Sequence, residues 1–292
     1  MAGYNLAELR EALITPTNPI TKRMRAVFYL RTIATPEVVP ILVEGFSTDS
    51  QLLQHEICYV LGQIHLPESE AFLISVLENE TLAVISRHEA AEALGAIGNP
   101  LFLPLLQTYS TSPIRELAET CQLAIDRINW LQNPEDIPPS PIILSIDPAP
   151  KFAAQLTIPQ LKEIYHDTTQ SLFNRYRALF SLRDIGTDEA VLAICEGFGN
   201  QNFSALFQHE IAFVLGQMQE KAVAGIPYLI QALENTSNHY ITRHEAAEAI
   251  GSITDSPEAL AILEKYKEDP AEPVRSSCFI ALDISEYWFK NE

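Results

Sequence analysis

Residues 86–95 are SRHEAAEALG, and residues 242–251, 156 positions later, are TRHEAAEAIG. Two further His-Glu pairs precede these stretches, His55-Glu56 and His209-Glu210. In all four places the pair is followed by four variable residues, a Leu or Ile, and then a Gly. A motif that recurs within each half of the chain, and again between the halves, indicates an internally repeated protein.

The two halves also match outside this motif: residues 23–31 are RMRAVFYLR and residues 175–183 are RYRALFSLR. Aligned on the position of the histidines, the first half repeats at steps of 31, 33 and 31 residues, and the second at 33, 35 and 32. A helical period in the low thirties is typical of a two-helix unit of an α-solenoid. Because β-hairpin signals are few, we predict an all-α solenoid of eight helical hairpins in two pseudo-symmetric four-repeat halves.

The predicted halves comprise residues 1–130 and 153–292, joined by a proline-rich linker over residues 131–152. Six prolines between residues 133 and 150 remove backbone donors and forbid a regular helix, which predicts a stiff, extended connector. Two halves joined in this way are expected to face one another across a cleft.

The composition excludes several classes of function. A formal charge of −19 over 292 residues disfavours nucleic acid as a partner and attracts cations. No apolar run of membrane-spanning length occurs, and four widely spaced cysteines predict neither a disulfide framework nor a cysteine-ligated zinc site. The N-terminus lacks the pattern of a secretory signal, so we expect a cytoplasmic protein.

The four His-Glu pairs are candidate metal ligands. Each half offers two histidines and several carboxylates from adjacent helices, and two histidines with one carboxylate form the ligand set of oxygen-activating non-haem iron enzymes. Two halves therefore predict a dinuclear centre with one ion from each half, although zinc or manganese could bind the same ligands. No His-Glu-x-x-His is present, which argues against a zinc protease. The glycine seven residues after each histidine makes room for helix packing or for a substrate, and packing is the better explanation.

A purely structural role is the alternative explanation for the pairs, since His and Glu near a helix N-terminus could satisfy the helix dipole and pack at a seam. The outer repeats argue against it. At the aligned position they have Met24 and Glu119 in the first half, and Tyr176 and Ser276 in the second. The ligand types are thus confined to the middle repeats. The other histidines, His65, His166 and His239, have no counterpart in the opposite half and are expected at the surface or in loops.

These residues resemble the deoxyhypusine hydroxylases, a family of HEAT-repeat di-iron mono-oxygenases. The resemblance covers both halves, the four His-Glu pairs, the phrases around them and the proline-rich linker. It implies an O₂-dependent hydroxylase that converts deoxyhypusine to hypusine on the precursor of translation initiation factor 5A, with two iron ions as cofactor and O₂ as co-substrate. We expect a monomer.

The resemblance also implies residue roles. One iron would be held by His55, His88 and Glu89, and the other by His209, His244 and Glu245. Glu56 and Glu210 would bind the amines of the substrate. Independently of the resemblance, Glu92 and Glu248 lie one helical turn beyond His88 and His244.

Two other classes of function remain open on the residues alone. A HEAT-repeat scaffold that binds partner proteins would contain no stoichiometric metal. A hydrolase with zinc or manganese in the same site would turn over without oxygen. A chromophore lyase of the HEAT type is more remote, because such lyases lack the four-pair ligand set.

Overall fold

The computed structural model describes residues 5–46, 50–134, 137–139 and 142–289. These residues form α-helices and short 3₁₀ turns and contain no β-strand, which confirms the all-α class. The chain divides into two compact units, Met1–Leu131 and Gln132–Glu292. Within the described residues no helix is both long and apolar enough to cross a bilayer.

The first unit alternates short and long helices. Its described residues form α1 Leu6–Ile14, α2 Ile20–Ile33, α3 Val38–Gly45, α4 Gln51–Ile64, α5 Glu70–Glu78, α6 Val84–Ile97, α7 Leu103–Tyr109 and α8 Arg115–Gln132. The long helices α2, α4 and α6 pack side by side in chain order, and the short helices α1 and α5 pack against α2 and α6.

The second unit repeats this alternation. Its described residues form α9 Ile158–His166, α10 Leu172–Ile185, α11 Asp188–Cys195, α12 Ala205–Met218, α13 Ile226–Glu234, α14 Tyr240–Ile253, α15 Pro257–Tyr266 and α16 Glu272–Phe289. The long helices α12, α14 and α16 form a continuous stack. The solenoid architecture is as predicted, while the count of eight hairpins stays a prediction.

The position at which the repeats were aligned is the fifth residue of every long helix. His55 in α4, His88 in α6, His209 in α12 and His244 in α14 all occupy it. The first turn of each helix is therefore complete before its histidine, and the free amide groups that define the positive helix end lie upstream. A dipole role at the helix N-terminus does not explain these histidines.

The glycine seven residues beyond each histidine permits close helix packing. A Cβ built on it would lie 2.5–3.2 Å from an atom of an alanine in the next long helix, closer than ordinary carbon contacts. The pairs are Gly62 with Ala93, Gly95 with Ala124, Gly216 with Ala249, and Gly251 with Ala281. Of the two explanations for these glycines, the structure favours packing.

A recurring arginine ties each long helix to the short helix before it. The Nε–H of Arg23, Arg87, Arg175 and Arg243 donates to the backbone carbonyl ten residues earlier, at 2.9–3.1 Å. That carbonyl belongs each time to the penultimate residue of the short helix, where no intrahelical donor is available. The arginine of the Arg-His-Glu motif is thus a structural residue that caps a helix C-terminus with a favourable charge.

The predicted linker differs in part from its expected form. The last helix of the first half, α8, continues through Gln132, and residues 135–136 and 140–141 lie outside the described residues. Residues 142–157 contain no helix, as their prolines require, but they pack on α10 of their own unit. Asp147 forms an ion pair with Arg183 at 2.7 Å, and Lys151 forms one with Asp184 at 2.7 Å.

Candidate metal centre

The first unit brings its two His-Glu pairs together between α4 and α6. His55, Glu56, His88 and Glu89 are all buried. The Nε2 atom of His55 lies 3.1 Å from Oε2 of Glu89, and the rings of His55 and His88 have centroids 5.5 Å apart. His55, His88 and Glu89 each present a ligand atom within 4.8 Å of the other two, as the members of one coordination sphere would.

The spacing of these atoms suits a divalent transition metal. Two ligands bound at about 2.1 Å and roughly at a right angle are separated by about 3.0 Å. The 3.1 Å between His55 and Glu89 agrees with that value. Imidazole nitrogens with carboxylate oxygen match the preferences of iron, zinc and manganese, so the residues present fit the implied iron.

The electrostatics of His55 show what the cluster would gain from a metal cation. Burial opposes protonation of the ring, but the carboxylates of Glu89 and Glu56 outweigh it and hold the pKa of His55 well above its ordinary value. The carboxylates around His55 thus favour positive charge at this position, which a metal ion bound by His55 and Glu89 would supply.

The second unit repeats the arrangement between α12 and α14. His209, Glu210, His244 and Glu245 are buried, and Nε2 of His209 lies 3.3 Å from Oε2 of Glu245. The rings of His209 and His244 have centroids 5.3 Å apart, and each ring offers a nitrogen within 4.8 Å of the other. The second unit therefore also places two histidines and a glutamate close together, with His209 next to both Glu245 and His244.

The carboxylates assigned to substrate lie beside the histidines. Oε1 of Glu56 accepts a hydrogen bond from Nδ1 of His55 at 3.0 Å, and the side chain of Glu210 is almost fully buried. Glu56 therefore contacts the ring nitrogen of His55 opposite the one that faces Glu89. Any contact of Glu56 with a substrate would be made next to a candidate ligand.

The remaining histidines lie outside both clusters, and the predicted surface or loop position is confirmed for His65 and His239 but not for His166. His65 follows the end of α4, where its Nε2 lies 2.8 Å from the carbonyl oxygen of Ile97. His166 ends α9 and contacts Glu196, and His239 immediately precedes α14. His65 and His239 are exposed, and His166 is half-buried.

One polar residue near the second cluster escaped the sequence analysis. Ser277 in α16 is buried, and its hydroxyl donates to Oε1 of Glu248 at 2.7 Å. The Oγ atom of Ser277 also lies 3.5 Å from Nδ1 of His244. The only sequence signal is that Thr120, at the equivalent position of the first half, also carries a hydroxyl.

Comparison with known proteins supports the repeat architecture. A family model of HEAT repeats matches residues 200–283, and a model of the PBS lyase HEAT-like repeat matches residues 175–200. The fold and the two clusters define the class: a HEAT-repeat protein with buried histidine and glutamate side chains arranged as candidate metal ligands.

Full-length relatives identify the family. The chain is 45% identical to deoxyhypusine hydroxylase of Drosophila melanogaster over 92% of this chain and 87% of the relative. It is 43% identical to that of Homo sapiens, over 95% of this chain and 90% of the relative. A solved structure of human deoxyhypusine hydroxylase in complex with glycerol matches with a TM-score of 0.91 and 42% identity, covering 97% of this chain and 96% of that one. The chain belongs to the deoxyhypusine hydroxylase family.

Proposed function

We propose that this protein hydroxylates the deoxyhypusine side chain on the precursor of translation initiation factor 5A, as an O₂-dependent di-iron mono-oxygenase. The observation that carries the proposal is the buried contact of a histidine with a glutamate in each unit, with His-to-Glu distances of 3.1 and 3.3 Å. Family membership supplies the substrate. We place the reaction in the cytoplasm, where the four buried, free thiols would remain reduced, and propose a monomer.

The ligands of the two ions follow from the clusters. One iron would be held by His55, His88 and Glu89, and the other by His209, His244 and Glu245. When bound, iron binds and reduces O₂, which side chains cannot do alone. One oxygen atom enters a C–H bond of the substrate and the other leaves as water, with two electrons from an external reductant. Burial of the ligands keeps bulk water from this chemistry.

The substrate explains why the site is rich in carboxylates. Deoxyhypusine is a lysine extended by an aminobutyl group, so it carries two amines on a long, flexible chain. We propose that Glu56 and Glu210 accept hydrogen bonds from these amines, because a charge-assisted contact at each end determines which carbon faces the oxidant. The formal charge of −19 raises the local concentration of such a cation.

Metal analysis of protein expressed with iron tests the proposal. We expect two irons per chain, lost together with hydroxylation of a deoxyhypusine-bearing precursor when a chelator is added. In His88→Ala one iron should be lost while helical content is retained. His166→Ala is the control, because His166 lies at the end of α9 and contacts Glu196 outside the cluster. Stoichiometric zinc or manganese with O₂-independent turnover would instead establish a hydrolase, and absence of metal after reconstitution would leave a binding scaffold.

Glu56→Ala tests the assignment of the substrate carboxylate. We expect both irons to be retained and the KM for the precursor to rise, because the variant removes an amine partner and no ligand. Metal content and steady-state kinetics would be measured on the same preparation, with Glu68→Ala, outside the cluster, as control. Loss of iron from Glu56→Ala would show that the contact with His55 is its main role.

A further inference from the structure

We propose that Ser277 and Glu248 form a positioning pair that orients His244 and determines which of its ring nitrogens carries the proton. The inference rests on the proposed function, because it assumes that His244 binds a metal ion. It concerns a buried hydroxyl on α16, the helix that packs along the other side of α14 from α12.

The geometry places Ser277 between the two other residues. Its Oγ lies 2.7 Å from Oε1 of Glu248 and 3.5 Å from Nδ1 of His244. Glu248 is one helical turn beyond His244 on α14, so both side chains face the same part of α16. The serine side chain is fully buried, which limits competition from bulk water for either contact.

The direction of the hydrogen bonds follows from the single proton of the serine. A carboxylate only accepts, so the hydroxyl proton points to Glu248 along the shorter contact. The serine oxygen therefore presents lone pairs to His244, and Nδ1 must be the donor. A neutral ring with its proton on Nδ1 has its lone pair on Nε2, the nitrogen that would bind the metal.

Metal-ligating histidines usually donate their other ring N–H to a carboxylate, a carbonyl or water, and loss of that partner typically lowers metal affinity by about 10–100-fold. Here the serine transmits the charge of Glu248 to the ring across two hydrogen bonds. The pair would hold the plane of the imidazole as well as its tautomer.

The first half of the chain supplies an internal control. Thr120 on α8 occupies the position equivalent to Ser277 and is also buried, but its hydroxyl donates to the backbone oxygen of Glu116 at 2.9 Å. Its proton is thus taken up within its own helix. We therefore expect removal of the hydroxyl to matter for the metal site of the second half and not for that of the first.

The test is the rate at which each metal ion dissociates into excess chelator, measured with cobalt(II), whose absorption spectrum reports on its ligands. Ser277→Ala should accelerate one of the two dissociation steps about 10–100-fold and shift the corresponding cobalt bands. His88→Ala removes the metal site of the first half, so only dissociation from the second half remains. Adding Ser277→Ala to that variant should accelerate this remaining step. Ser277→Thr, which keeps the hydroxyl, should restore the slow rate, and Thr120→Val should leave both steps unchanged.

Glu248→Ala is a second variant, useful if Ser277→Ala folds poorly. Without its acceptor the serine proton can turn toward Nδ1, which favours the wrong tautomer, so the same step should accelerate. Unchanged dissociation in both Ser277→Ala and Glu248→Ala, while the parent binds two ions, would overturn this inference alone. A parent protein that binds no metal would overturn the proposed function together with it.

Discussion

Replacing Gly251 by alanine probes the packing that positions the second metal cluster. A Cβ at Gly251 would lie 2.5 Å from the carbonyl oxygen and 2.6 Å from the Cα of Ala281 on α16. These are backbone atoms, so no side-chain rotation relieves the overlap. At Gly216, which performs the same role one repeat earlier, the nearest atom is the Cα of Ala249 at 3.2 Å.

The cost can be worked from those distances. Heavy-atom contacts are most favourable at about 3.5–4.0 Å, so α14 and α16 must separate by about 1 Å in Gly251→Ala, but α12 and α14 by only about 0.3 Å in Gly216→Ala. A gap of about 1 Å forfeits up to half of the dispersion energy across it, and overpacking of this kind costs about 1–3 kcal/mol. Alanine returns about 1 kcal/mol through helix propensity. Because the overlap at Gly251 is with backbone atoms, its cost belongs at the upper end of that range, about 3 kcal/mol, so we expect Gly251→Ala to lose about 2 kcal/mol and Gly216→Ala to be nearly neutral.

Thermal and urea unfolding followed by far-UV circular dichroism measure the difference. For a unit of this size, about 2 kcal/mol corresponds to a fall in Tm of about 4–8 °C. Because α14 also carries His244, Gly251→Ala should release metal faster than Gly216→Ala does. If the two variants are equally stable, the distance between the neighbouring backbones does not determine the cost of alanine at these glycines, and the reasoning is refuted.

Two further predictions concern buried polar groups. Arg243→Ala should lower the free energy of unfolding by about 3–5 kcal/mol in urea titrations, because the carboxylate of Asp269, 2.6 Å from the guanidinium in the native protein, would be buried without its cation. If the charge is the cause, the double variant Arg243→Ala with Asp269→Asn should recover stability. A loss of less than about 1 kcal/mol in Arg243→Ala would contradict the prediction. Burial raises the pKa of Cys121, Cys195 and Cys278 to about 12. These thiols should therefore resist alkylation by iodoacetamide at pH 8 in the native protein and react fully in urea, as measured by mass spectrometry. Rapid alkylation of the native protein would contradict the burial. Since these folded-state pKa values lie above the unfolded value of about 8.5, the stability they confer is complete below that pH and declines as pH rises toward 12.

The candidate ligands could be predicted from the sequence because their pattern depends only on spacing within one helix. A His-Glu pair at a constant position in a repeated helix must reappear on the same face of each copy, since every copy has the same 3.6-residue turn. All eight residues assigned to metal or substrate are buried on the long helices, as that argument requires. Their confinement to the middle repeats distinguished them from structural residues without any contact being known.

Other assignments depended on contacts between helices. Arg87 and Arg243 directly precede candidate ligands in the sequence, and the structure shows that their guanidinium groups cap the preceding short helices, a role visible only once both helices are placed. Residues 142–157 contain no helix, but their packing on α10 through Asp147 and Arg183 depends on side chains 36 residues apart.

The sequence by itself determined the class of fold, the repeat period and the set of candidate ligands, because each follows from spacing along a helix. The tertiary structure alone decided why the glycines recur and which hydroxyl faces His244. Those outcomes depend on how closely neighbouring helices approach. A Cβ built on Gly251 would lie only 2.5 Å from Ala281, and Ser277 reaches both Glu248 and His244, because α16 lies directly against α14. A change of less than about 1 Å in the distance between two helices is enough to turn a contact into a gap, and no pattern of residues along one helix determines that distance.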